Sequence, residues 1–145
     1  MAYIGQPIPS TVTHISSLKV SDGKSVNVTV PSGTAIEAGK FYQFSGFFGA
    51  VLKTVTAAQN TAGVEVALQL EPCEYVTDQI DTTKTFSKGS ELYFDTTNGV
   101  FTDTSAAGLL VVGKVSEAKD EANTIQFIRY PQITTVPAAA TSGTE

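Results

Sequence analysis

Between Lys40 and Lys53 the chain reads KFYQFSGFFGAVLK, two aromatic and apolar runs separated by Ser45-Gly46. Short runs flanking such a turn make a β-hairpin. A glycine second in the turn suits type I′ geometry, in which both central residues take positive φ. The runs alternate, so Phe41 and Gln43 face one way while Tyr42 and Phe44 face the other. Phe47 and Phe48 are adjacent and therefore point to opposite faces. At least one of these rings must find cover beyond a one-sided sheet, from a second sheet or from another subunit. Both are candidate interface or core aromatics.

At 145 residues one domain is expected, large enough for a real core. Apolar residues make up 41% and charged residues 16%, which fits a globular chain rich in Thr, Ser, Gly and Val. Nine basic residues against fourteen acidic ones give a net charge of −5. Nucleic-acid affinity rests on clustered Lys and Arg, and no such cluster occurs, so nucleic acid is not an expected partner. Cys73 is the sole cysteine, which excludes an internal disulfide and a cysteine-based zinc site. It is expected to act as a small core hydrophobe. No apolar run approaches the ~20 residues of a membrane span, and no basic-then-apolar leader opens the sequence. The expectation is a soluble protein made in the cytoplasm, with no membrane partner.

Three regions are expected: an N-terminal arm and entry strand over 1–25, a β domain over 26–130, and a low-complexity tail over 131–145. In the arm, Tyr3, Ile4, Pro7, Ile8 and Pro9 are interleaved with polar residues, and the prolines forbid helix and central strand alike. These five are the candidate arm contacts, to a partner or to another protomer. A hairpin around Asp22-Gly23 is expected within 12–30. One extra loop residue there opposes Val20 with Val26 and Leu18 with Val28, segregating the faces. Further strands are expected over 64–70, 73–77, 91–95 paired with 100–102 around Asn98-Gly99, 109–115 and 124–130. A short extended piece is expected over 85–88. Turn signals every eight to twelve residues indicate an all-β sandwich or barrel with very little helix.

Motifs for chemistry fail on inspection. Gly23-Lys24-Ser25 resembles the end of a phosphate-binding loop, but that loop needs Gly where Leu18 stands and a helix where VNVTVP alternates like a strand. His14 is the sole histidine, and no GxSxG elbow supplies a nucleophile for it. Glu71, Glu74, Asp78 and Asp81 read as a solvated rim rather than a catalytic pair. Asp95, Asn98 and Asp103 carry oxygens suited to a cation, yet Asn98-Gly99 is explained as turn chemistry and no DxDxDG loop is present. No catalytic residue, cofactor or metal site is expected, and the chain reads as a non-enzyme.

Five segments in order carry a family likeness: VTVPSG at 28–33, AGKFYQFSGFFGAVL at 38–52, AGVEVALQLEPCEYV at 62–76, KGSELYFDTTNGVFT at 88–102 and GLLVVGKVSEA at 108–118. Together they resemble the DUF2190 family of small phage-associated proteins, over roughly residues 26–130. Some members are labelled recombinase-like, a label that the failed phosphate loop does not support. The resemblance implies a capsid decoration, or cement, protein with a compact β-tulip or β-barrel domain. Such proteins sit as homotrimers on the outer surface of the virion at threefold or quasi-threefold positions, bind the major capsid protein and stabilise the bacteriophage head. Their N-terminal segment often extends onto the capsid or an adjacent protomer. Residues 1–25 here are longer and richer in Thr and Ser than the family's usual start. The competing reading is a tail- or fibre-associated β module that binds carbohydrate or another structural protein.

Overall fold

A computed structural model describes residues 19–139. Within them lie nine strands: β1 (Ser25–Val30), β2 (Phe41–Phe44), β3 (Phe47–Val51), β4 (Val64–Gln69), β5 (Glu74–Thr77), β6 (Glu91–Asp95), β7 (Val100–Thr102), β8 (Leu110–Glu117) and β9 (Ile125–Thr135). No helix forms among the described residues. The strands build two curled antiparallel sheets, ordered β1-β4-β3-β2 and β5-β9-β8-β6-β7. The all-β expectation holds.

The opening hairpin forms as its sequence dictates. Ser45 and Gly46 take φ of 53° and 80°, and Phe44 pairs with Phe47 while Phe41 pairs with Ala50. This hairpin is the wall between two cores. Phe41, Phe48 and Ala50 face the second sheet, where they join Phe94, Phe101 and Phe127. Tyr42, Phe44 and Val51 face the concave side of their own sheet, with Val28, Val30 and Leu68. Each fully buried Phe in the first core contributes roughly 1.5–3 kcal/mol. The rings also meet edge-on, as Phe41 does Phe101 at 5.2 Å between centroids.

Four local expectations are corrected. Strand β1 pairs with β4, Val26 opposite Leu68, Val28 opposite Val66 and Val30 opposite Val64, and the expected apposition of Val20 with Val26 does not form. Val20 is 95% exposed; residues 12–18 of the expected hairpin lie outside the described ones. Residues 85–88 are not extended: Phe86 takes a φ of 51° and buries its ring completely. Its N–H donates to the Asp103 carboxylate at 3.0 Å, which holds this left-handed backbone in place. The last strand does not stop at Tyr130 but continues to Thr135, which pairs with Leu110. Pro131 is tolerated because residues 130–133 bulge opposite Val112, where no ladder bond is required of its nitrogen. Cys73, expected in the core, is half-buried just before β5.

Candidate interaction surface

The inner face of β9 runs Ile125, Phe127, Arg129, so the chain's sole arginine alternates into the core. Arg129 is 5% exposed. Its Nη1 donates to the Phe48 carbonyl at 2.5 Å, and the guanidinium lies 5.5 Å from the centroid of the Phe48 ring. It thereby ties β9 of one sheet to β3 of the other. Burial lowers its pKa, and its Nε has no hydrogen-bond partner. Tyr75 packs nearby and donates its hydroxyl to the Glu71 carbonyl at 2.7 Å; burial pushes the phenol pKa up. Arg129 is a structural clamp. Its signal in the sequence was its inward place in an alternating strand.

The acidic rim is held by separate partners. Lys40 donates to Asp78 at 2.6 Å, which lowers the Asp78 pKa and raises that of Lys40. Glu74 accepts from the Ser116 hydroxyl at 2.6 Å, and Glu71 lies 3.5 Å from Lys24. An open groove of about 510 Å³ is lined by Asp81, Lys84, Asp95, Asn98, Thr102 and Thr104, among others. Its carboxylates are engaged by their own loops. Asp81 accepts from the Thr83 hydroxyl and N–H, and Asp95 accepts from the N–H groups of Thr97 and Asn98 and from the Asn98 amide. Asp103 accepts from Phe86 and Thr104. Among the described residues no cluster of His, Cys, Asp and Glu is arranged to hold a metal ion.

What distinguishes the surface is how its four sheet edges are treated. At β2 the Gln79 amide occupies the outward backbone of Phe41. At β7 the stretch around Ile80 runs alongside in parallel: Phe101 N–H donates to the Gln79 carbonyl, and Asp81 N–H donates to the Phe101 carbonyl. Strand β5 has four residues, is preceded by Pro72, and carries Glu74 with Asp78 close behind. Proline, charge and shortness all blunt an edge. Strand β1 is longer and carries neither charge nor proline within its six residues, with Lys24 and Pro31 directly flanking it. Lys24 accepts from Leu70 N–H, so Lys24, Val26, Val28 and Val30 aim their backbone groups at β4. Ser25, Asn27 and Thr29 aim theirs outward, where no described residue meets them, and their side chains are exposed.

Of the residues singled out from sequence, Tyr3, Ile4, Pro7, Ile8, Pro9 and His14 lie outside the described ones. Phe48 is 2% exposed in the inter-sheet core, whereas Phe47, at the hairpin tip, is 45% exposed. Val76 and Ile128 stand outward on β5 and β9. The structural role of Gln79 had no signal in sequence.

A family model described as phage cement protein matches residues 20–131. No curated protein and no solved structure matches the chain.

Proposed function

The chain belongs to the phage cement protein family, and from that premise we propose that it decorates the outer surface of the expanded icosahedral head and stabilises the contacts between major capsid subunits. The observation that carries the reading is the family match, which spans β1 to the middle of β9. The family is a structural one, and association with the capsid follows from membership. The acts proposed beyond that are binding on the outer face, as homotrimers at threefold and quasi-threefold positions, without catalysis. Cementing works by adding buried area across joints. Interfaces of ~1,600 Å² span weak to tight binding according to their anchors, and a trimer multiplies attachment points so that weak contacts become avid. Internally engaged carboxylates and an exposed Phe47 are consistent with a surface that binds protein.

Tyr3, Ile4, Pro7, Ile8 and Pro9 are proposed as contacts of the arm with shell or neighbouring protomer, and deletion of residues 2–11 tests them. Shell binding should be lost while the β domain melts as before; retained binding removes the arm from the account. The role itself is tested by light scattering of the purified protein, alone and with undecorated phage capsids, followed by sedimentation. Co-sedimentation at a fixed ratio is expected. A protein that ignores the shells is not a cement.

A further inference from the structure

We infer that the outer edge of β1, which no described residue bonds, is a docking strand, to which an extended segment of a capsid subunit adds as a fifth strand of the first sheet. The inference rests on the cement reading for the identity of the partner and on the edges of the two sheets for the mode of binding.

Three of the four edges are closed or blunted within the chain itself. The fourth is six residues long, SVNVTV, with neither charge nor proline. An uncharged edge of that length is a template for a further strand, and folded proteins ordinarily protect it. Here Ser25, Asn27 and Thr29 each present an N–H and a C=O outward, enough to bond an extended segment over its length.

Among the described residues, the chain's approach to β1 does not cover this edge. A hairpin returning along it would place Val20 against Val26, yet Val20 is 95% exposed. Lys19 instead pairs with Asp22 at 2.7 Å, and Gly23 N–H donates to the Ser21 hydroxyl. The root of the expected hairpin is therefore absent among the described residues, and the proposed occupant is a segment of another chain. A protein whose family works by attachment to a capsid has that partner in the shell.

The edge also specifies the chemistry of its partner strand. Side chains opposite Ser25, Asn27 and Thr29 fall on the outer face, continuing a row that holds Gln69, Ala67 and Glu65 on β4. They should be polar, and neutral or basic near Thr29. Side chains opposite Val26 and Val28 fall on the concave face beside the half-buried Val26 and should be apolar. The segment is an alternating one of about six residues.

The test uses the full chain and undecorated capsids. Asn27→Pro removes an outward N–H that no described residue accepts, so the β1–β4 ladder stays intact; Asn27→Thr keeps the N–H. Wild type and Asn27→Thr should co-sediment with shells alike, and Asn27→Pro should bind at least tenfold more weakly with an unchanged melting temperature. On the shell, the amides of Ser25, Asn27 and Thr29 should exchange hydrogen more slowly than in the free protein. A folded Asn27→Pro that binds like wild type overturns the inference, and so does an unchanged exchange rate on the shell. Should Asn27→Pro fail to fold, the exchange measurement on wild type decides. Slowing that grows with concentration in the free protein means that a second copy takes the edge, and the shell assignment falls. Wild type that does not bind shells refutes the cement reading itself, which is a different failure from binding that Asn27→Pro leaves untouched.

Discussion

The side-chain amide of Gln79 takes both outward backbone groups of Phe41. Phe41 N–H donates to Oε1 at 2.7 Å, and Nε2 donates to the Phe41 carbonyl at 2.9 Å. The same Nε2 reaches the carbonyl of Gly99 at 2.9 Å, so one residue seals an edge of the first sheet against the β6–β7 loop of the second. A glutamine here imitates a neighbouring strand. Gln79→Ala leaves three half-buried backbone groups without this partner and should cost about 2 kcal/mol. That corresponds to a fall in melting temperature of roughly 5–10 °C. Gln79→Glu, which keeps the acceptor and loses the donor, should cost more, because a carboxylate then faces two carbonyl oxygens. An alanine variant that melts with wild type would mean that water replaces the amide at no loss.

Glycines in this fold fall into two kinds that substitution should separate. Gly49 in β3 and Gly113 in β8 have ordinary φ, but a Cβ would lie on the carbonyl oxygen of Gln69 or of Ile128. Those oxygens belong to neighbouring strands and cannot swing aside. Gly49→Ala and Gly113→Ala should each cost about 3 kcal/mol or prevent folding. Gly46 has open space around it and needs only its φ of 80°, so Gly46→Ala should cost about 1 kcal/mol. Urea unfolding midpoints give the comparison, and equal losses at the three positions would refute the distinction.

The legible part of the fold was what alternation and turn chemistry encode locally. Ser45-Gly46 named its own hairpin, and the adjacent Phe47 and Phe48 already required cover on more than one face. The second sheet provides it for Phe48. What sequence could not give was which strand pairs with which across a distance. Strand β1 finds β4, nearly forty residues on, because three valines meet Leu68, Val66 and Val64 there, and no local rule points to a partner at that distance. Pro131 read as the end of a strand for the same reason, since a bulge that accommodates it depends on the partner strand. The edge of β1 became visible only once the other three edges were seen to be closed or blunted.

Arg129 should behave as a buried charge whose loss is tolerated if its volume is kept. Its side chain is clamped to the Phe48 carbonyl without a carboxylate partner and with Nε unpaired, so part of its desolvation is uncompensated. Arg129→Met loses that hydrogen bond but also relieves the buried charge, and its stability should lie within about 1 kcal/mol of wild type. Arg129→Ala leaves both a cavity between the sheets and the unpaired carbonyl, and should cost about 3 kcal/mol. If methionine proves as damaging as alanine, the charge itself holds the two sheets together.

Acid should loosen the loops before it reaches the core. The pKa of Asp95 is lowered, chiefly by the Asn98 amide; that of Asp81 by the Thr83 hydroxyl; and that of Asp78 by Lys40. A carboxylate with a depressed folded-state pKa binds its proton more readily when unfolded. Its contribution is therefore complete above the unfolded value of about 3.9, and is lost as pH falls through the lower folded value. Stability should be level near neutrality and decline below about pH 4. Asp95→Ala gives up three hydrogen bonds in the β6–β7 loop and should cost about 1 kcal/mol at pH 7, a modest figure because solvent reaches the loop. That gap should narrow as pH falls below the unfolded value of about 3.9 and the wild-type carboxylate takes up its proton. Denaturant unfolding of both proteins across pH 2–7 measures it, and a gap independent of pH would show that the Asp95 charge contributes nothing to the loop.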